Sequence, residues 1–326
     1  MTVVNGIEST EVRSRKDDIK AAIANNAKIE DKLNVIMVVS NACKFHKRWQ
    51  LAREFTERML ANPDVVLYTV ELAYGDEAHR VTDAGNPRHL QLRTPVPLWH
   101  KENCIDIGVR KLLPPDWKAF AWVDADIEFM SPTWASDTLK ILNGAKDIVQ
   151  PFSHCIDMDA QGRPMSLFCS FGFQYETTKR YVKSGPSFWH PGWACAMTRQ
   201  HYEKVGVFQH AILGAGDNHM MQAIIGQTGA NPGIHPEYAR MLEEYMSRVV
   251  DVRLGYVPCV IRHYFHGSKK NRRYMERWKI LVKHQYNPYT DVALDDQGVL
   301  VPTDACPREL LRDILGYFEE RKEDEE

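Results

Sequence analysis

The stretch FAWVDADIEFM, residues 120–130, decides how this chain is read. Its first half completes an apolar run over 119–123 of the kind a strand buried on both faces requires. Asp124 and Asp126 follow at once, just past the strand's C-terminal end, where open α/β sheets bind ligands. Two residues apart in extended chain, their side chains point the same way. Convergent carboxylates at that place suit a hard divalent cation that also takes phosphate oxygens. The alternative is a turn in which Asp124 caps a loop amide, since Asp-x-Asp also occurs in solvated loops.

Working outward, LNVIMVVS over 33–40 is a second apolar, β-branched run, and VVLYTVEL over 65–72 a third. Between them Trp49, Ala52, Phe55 and Met59 recur at helical spacing until Asn62-Pro63 stops the helix. A helix over about 99–113 ends at Pro114-Pro115 and leads into the strand before Asp124. Strand alternating with helix implies parallel βαβ winding. Further strands are expected at 147–150, 193–197 and 256–264, and helices at 132–142, 199–205, 218–226 and 272–283. The expected fold class is α/β: a Rossmann-like, mostly parallel central sheet flanked by helices, with a C-terminal helical extension. The spacing divides the chain into a leader (1–32) lying on the surface, a main domain (33–285), and an extension (286–326) whose tail EERKEDEE reads as frayed.

With 326 residues and 44% hydrophobic content, the chain can bury one large α/β core. A formal net charge of −2 excludes a uniformly basic nucleic-acid binder and leaves room for one local basic face. The sequence shows neither an apolar targeting segment nor a run near the ~18 apolar residues that span a bilayer. Seven scattered cysteines, never paired as C-x-x-C, argue against a disulfide framework or zinc knuckle. A soluble cytoplasmic protein is expected, with no membrane and no obligate protein partner.

A further metal ligand is expected from VIRHYFHGSKKNRRYMERWK, which offers His263 and His266 at the end of an expected strand. His266 is favoured. Gly267 beside it allows a close backbone approach or a positive φ, and Lys269 and Lys270 follow where a diphosphate needs positive charge. His263 is the rival and reads equally as a hydrogen-bonded strand histidine. One nitrogen ligand added to two carboxylates makes Mn²⁺ at least as acceptable as Mg²⁺.

Three blocks in order resemble GT-A glycosyltransferases. HKENCIDIGVRKLLPPDWKAFAWVDADIEF resembles the family's helix followed by its metal-binding DxD, with His100, Lys101 and Asn103 at the nucleotide-contacting positions. HPGWACAMTRQHYEKVGVFQHAILGAGDNHMMQAI is similar to the acceptor side of the β-1,4-galactosyltransferase type. Its acidic motif is reduced here to Gly216-Asp217-Asn218-His219, with Gly192 ahead of it. The segment from Ile261 to Lys270 resembles the family's metal histidine and the lysines after it. The resemblance implies a UDP-sugar donor, inversion at the anomeric carbon, and Asp217 as general base on the acceptor hydroxyl. By position in the family, Asn41, Lys44, Trp122 and Ala125 fall on the nucleotide side, and Arg262, Lys269 and Lys270 near the phosphates. Asp217 reads alternatively as a helix N-cap, and Trp193 either as a platform for a sugar face or as plain packing.

The acceptor is read from the basic and aromatic stretch Lys269, Lys270, Arg272, Arg273, Arg277, Lys279 and Lys283 with Tyr264, Phe265, Tyr274 and Trp278. Such a face suits a nucleic-acid strand. The run HGSKKNRRY also looks like that of phage-encoded enzymes that glycosylate hydroxymethylated pyrimidines in DNA, which implies a flipped-out 5-hydroxymethylcytosine as acceptor and a host-cytoplasmic location. A soluble glycan or small molecule is the alternative. A sugar nucleotidyltransferase would share the carboxylates but normally carries a glycine-rich loop after the first strand, and SNACKFHK has no glycine. A non-catalytic nucleotide-sugar binder would keep the fold and lose the base and metal set.

Overall fold

The computed structural model describes residues 3–4, 7–8, 10–185, 187–273 and 276–325, with side chains described from residue 18 onward apart from that of Lys269. The strands that place the site are β1 (Leu33–Ser40), β2 (Val65–Tyr74), β3 (His89–Thr94), β4 (Ala119–Val123), β5 (Ile127–Phe129), β6 (Ile148–Gln150), β7 (His154–Met158), β8 (Pro164–Ser170), β9 (Trp189–His190), β10 (Ala194–Thr198), β11 (Leu254–Tyr256) and β12 (Val260–His263). A seven-stranded sheet runs β11-β6-β10-β4-β1-β2-β3 and a five-stranded one β9-β8-β7-β12-β5. In the larger sheet β1, β2, β3 and β4 are mutually parallel, β11 is parallel to β6, and β10 runs antiparallel between β6 and β4. This is the α/β, mostly parallel arrangement expected from the strand and helix alternation.

Alternation along β4 shows why the sheet is covered on both faces. Phe120 and Trp122 enter one core, which also takes the helix α3 (Lys101–Leu112). Ala119, Ala121 and Val123 enter the other, beneath α2 (His46–Leu60) and α4 (Trp134–Leu142). Fully burying a large apolar side chain of this kind is worth roughly 1.5–3 kcal/mol, so β4 could not stand at an open face.

The chain order β3-β2-β1-β4 reverses direction between β1 and β4, and the carboxyl ends of those two strands open onto one cleft. From β4 the turn through Asp124–Asp126 carries the backbone into β5, from the large sheet to the small one. The two acidic residues therefore stand where the sheets part.

Several expectations change. The strand expected over 256–264 is two strands, β11 in the large sheet and β12 in the small. The helix expected over 272–283 is observed only as Trp278–Lys283, after a 3₁₀ turn at Lys269–Arg272 that Ser268 caps and Arg273, at φ +41°, ends. The leader is not merely superficial: α1 (Thr10–Asn25) buries Ile19 and Ala22, and Asn26 donates to the carbonyls of Lys140 and Asn143 at the end of α4. In the C-terminal region Tyr286, Leu300, Leu310 and Ile314 are buried in the same core as Ile36 and Phe120. The tail is not frayed: Arg321 and Glu323 are buried, and Asp324 accepts the first amides of α2, from His46 and Lys47. Those amides have no partner inside the helix, and a carboxylate there also meets the positive end of the helix dipole.

Candidate active site

Register explains how residues far apart in sequence meet. β12 pairs with β5 so that His263 lies opposite Ile127, next to Asp126, and pairs with β7 so that His263 lies opposite Asp157. His263 Nδ1 sits 2.6 Å from Asp157 Oδ1, which leaves Nε2 pointing toward Asp126 Oδ2 at 3.7 Å. His266 Nε2 lies 2.7 Å from the same Oδ2 and 3.3 Å from His263 Nε2. Asp126 and both histidines thus present three ligand atoms within 4.8 Å of one another. Both histidines converge, rather than one excluding the other.

This donor set fits a divalent cation. One carboxylate and two imidazoles, with Asp157 behind His263, is a common metal arrangement in which the outer carboxylate fixes the tautomer. Asp126 Oδ1 is buried without a hydrogen-bond partner among the described residues. Burial would raise Asp126, yet the imidazoles of His266 and His263 hold it well below the usual carboxylate range. Burial would lower His263, and Asp126 and Asp157 push it up instead, whereas burial and then Arg272 hold His266 below the usual imidazole range.

Asp124 lines the same cleft but is not one of the three clustered ligand residues among the described ones. Its carboxylate pairs with Lys101 Nζ at 2.5 Å, and its N–H donates to the Trp193 carbonyl at 2.7 Å. Burial pushes its pKa up to about 6 against the pull of Lys101, with Asp126 and Asp217 adding to the rise. Although burial opposes its charge, Lys101 is held above the usual ammonium range, first by Asp124 and then by Asp217.

Asp217 begins α5 (Gly216–Ile224), and its own carboxylate accepts the Asn218 amide at 2.7 Å. A Cβ on Gly192 would collide with Asp217 Oδ2, so the absence of a side chain there makes room for the carboxylate. Beneath α5, Glu102 fills the space beside Gly216 and accepts from Trp99 Nε1 at 3.0 Å. Burial raises Glu102 to about 7. Two residues here hold left-handed backbone that favours glycine: Trp193 at φ +74° and Ala215 at φ +78°. Such strain costs of order 1–3 kcal/mol and clusters at functional sites. At Trp193 it aims the carbonyl at Asp124.

The cleft at the β1–β4 reversal is lined by Asn41, Phe45, Leu51 and Tyr74 on one side, and by Lys101, Ala125, Asp126 and His266 on the other. Arg48, Arg272 and Arg321 close it. Arg272 Nη2 lies 2.7 Å from His266 Nε2. Arg48 and Arg321 were not singled out from the sequence, and Arg272 was read there only as part of the basic stretch facing the acceptor. Each sits in a charged or helical run that gives no positional signal.

Other expected site residues are placed differently. Asn41 lines the cleft, but its side-chain amide is closed onto the Phe45 backbone at 2.8 and 2.9 Å. Asn103 is fully buried and brackets the C-terminal hairpin through Gly298 and Leu300, and His100 Nε2 meets the Leu300 carbonyl at 2.8 Å. Asn103 is thereby spent on structure, whereas His100 also lines the cleft beside Tyr74. Trp122 points into the core against Phe120, while Lys44 is exposed at φ +58°. Arg262 pairs with Glu128 at 3.5 Å on the opposite side of β12 from His263. Lys270 is exposed on the 3₁₀ turn, and the side chain of Lys269 lies outside the described residues. Trp193 is 7% exposed, with His190 stacked on it at 3.4 Å, so the face turned outward beside Gly192 belongs to His190.

No family model and no curated protein matches the sequence. Among solved structures the chain is similar to the mannosyltransferase PcManGT of Pyrobaculum calidifontis in complex with GDP-Man and Mn²⁺, at 13% identity and a TM-score of 0.43, over 84% of this chain and 73% of that one. It is similar to a mutant of Drosophila β1,4-galactosyltransferase 7 in complex with manganese, UDP-Gal and xylobiose, at 9% identity and a TM-score of 0.38, over 86% and 98%. It is similar also to 4-diphosphocytidyl-2C-methyl-D-erythritol synthase of Anaerococcus prevotii, at 11% identity and a TM-score of 0.32, over 71% and 88%. At these scores, what the chain does is read from its own site.

Proposed function

We propose that this chain is a metal-dependent glycosyltransferase that moves a sugar from a nucleoside diphosphate to a hydroxyl, with UDP-sugar the first donor to try. The observation that carries the proposal is the convergence of Asp126, His263 and His266 beside a cleft lined by Arg48, Arg272, Arg321 and Lys101, with Asp217 near enough to act on the charge of Lys101. A cation trap beside a ring of basic side chains suits a diphosphate, and a carboxylate nearby suits a proton acceptor.

When bound, a Mn²⁺ or Mg²⁺ ion supplies Lewis-acid neutralisation of the departing diphosphate. The chain's own residues do the rest. The nucleoside lies in the β1–β4 cleft, with Tyr74 and Phe45 against it. Arg48, Arg272 and Arg321 meet the phosphate oxygens. Asp217 takes the proton of the acceptor hydroxyl as that oxygen bonds to the anomeric carbon. The bond from that carbon to the diphosphate oxygen breaks, its electron pair leaves with the diphosphate, and the anomer inverts. Lys101, paired with Asp124, supplies the positive charge that offsets this carboxylate beside the cation site.

For the acceptor, 5-hydroxymethylcytosine in DNA and a soluble glycan or small molecule remain the two readings, and the surface supports the second. Within the basic stretch Arg273 pairs with Glu276 and Glu320 and Lys283 with Asp313, and on the neighbouring strand Arg262 pairs with Glu128, so part of the positive charge a DNA backbone needs is offset. Tyr274 of that stretch lies outside the described residues. Beside Gly192 and Asp217 stands instead a wall of His190, Phe168 and Phe188, a surface for an uncharged ring. The test presents the protein, Mn²⁺ and UDP- or GDP-sugars with a panel of oligosaccharides and with a 5-hydroxymethylcytosine duplex, and reads product mass. A hexose-sized gain on an oligosaccharide supports this reading, and a gain on the duplex alone restores DNA. Release of pyrophosphate in place of nucleoside diphosphate would identify a nucleotidyltransferase, and release of neither a binding module.

A further inference from the structure

The histidines differ in what holds them. His263 is fixed from behind by Asp157 on the neighbouring strand, whereas His266 stands three residues past the end of β12. The carboxylate behind His266 comes from the last residues of the chain: Glu323 Oε2 lies 3.4 Å from His266 Nδ1. Glu323 is 2% exposed and is held by Arg48 through two contacts, at 2.5 and 2.7 Å, and by Arg321 Nε at 2.7 Å. Asp324, next along, is clamped to the first amides of α2. The tail can lie this close only because Gly267 stands at φ +90°, where an added Cβ would come within 3.0 Å of the Arg321 carbonyl and the Glu323 Cα.

We infer that Glu323 is a positioning residue for the metal site, doing for His266 what Asp157 does for His263, so that the C-terminal segment completes the cation-binding cluster. A buried carboxylate facing Nδ1 favours the tautomer protonated there, which turns the Nε2 lone pair toward Asp126 and the cation site, where Arg272 Nη2 now stands 2.7 Å away. The same carboxylate orients Arg48 and Arg321, which line the cleft, so cation site and basic ring are set by one group. This inference rests on the metal-dependent reading above.

The test is a Mn²⁺ titration of the intact protein without donor, followed by the electron paramagnetic resonance signal of free Mn²⁺, on wild type, Glu323→Ala, Glu323→Gln and the exposed control Glu325→Gln. Thermal unfolding verifies that each variant is folded. Loss of an outer-shell partner weakens metal binding by about 10- to 100-fold, so Glu323→Ala is expected in that range. Glu323→Gln, which keeps an acceptor oxygen for Nδ1–H, is expected to recover part of the loss, and Glu325→Gln to match wild type. Wild-type affinity in folded Glu323→Ala overturns the inference and leaves the proposed function standing, as does equal loss in the Ala and Gln variants. Absence of Mn²⁺ binding by the wild type overturns the metal reading itself.

Discussion

Asp217 owes its place to a neighbour that has no side chain. With a Cβ at Gly192 set to collide with its carboxylate, Gly192→Ala is expected to displace Asp217 and lower kcat about 100-fold, as a misplacement of ~1 Å does, while the thermal transition stays near wild type. A loss of kcat matched by loss of folded protein would assign Gly192 to stability instead. Glu102 offers a pH test. Its folded pKa of about 7 lies above its ordinary 4.5, so its protonated form favours the native state: the contribution is whole below about pH 4.5 and is lost as pH rises through 7. Glu102→Gln keeps an acceptor for Trp99 and removes the titration. The variant should therefore gain on wild type between pH 5 and 8, by up to about 3 kcal/mol in denaturant unfolding, and a constant difference across that window would contradict the assignment. At this scale the sequence was legible in part. Asp126, His263 and His266 stood out by type and spacing. Asp157, Arg48 and Glu323 did not, because each matters only through a partner that the fold, not the local sequence, brings to it.

Elements carry the site as much as side chains do. The turn between β4 and β5 hands Asp124 and Asp126 from one sheet to the other, and the Trp193 carbonyl, aimed by a left-handed backbone, fixes its first amide. Ala215 holds a similar conformation just before α5. Glycine adopts that conformation without the Cβ penalty, so Ala215→Gly is expected to leave stability unchanged or raise it by up to about 1 kcal/mol, seen as an unchanged or higher denaturant midpoint. A clear fall in the midpoint would contradict the strain. The apolar runs of β1, β2 and β4 were plain in the sequence because strands buried on both faces need them. The strands of the smaller sheet were not. β8 alternates exposed Met165 and Leu167 with half-buried neighbours, a weak pattern, and β5 is too short to show one. The tail misled for a different reason: composition alone reads EERKEDEE as solvated, and nothing local shows that Arg48 and a helix N-terminus wait for its acids.

For the whole molecule, the reversal of strand order between β1 and β4 places the candidate cleft, and basic side chains stand around it together with Asp124 and Asp126. No helix among the described residues is long and apolar enough to cross a membrane. The mostly parallel α/β architecture followed directly from strand and helix alternation, whereas the second sheet and the docked C-terminus depend on contacts between distant segments. The measurement that tests the account most directly is release of nucleoside diphosphate from a UDP- or GDP-sugar with and without Mn²⁺, in wild type and in Asp126→Ala. The account predicts release by the wild type only with metal, and a loss of at least about 100-fold in Asp126→Ala with the fold retained. Release that persists after metal is chelated, or that is unchanged in Asp126→Ala, would contradict it.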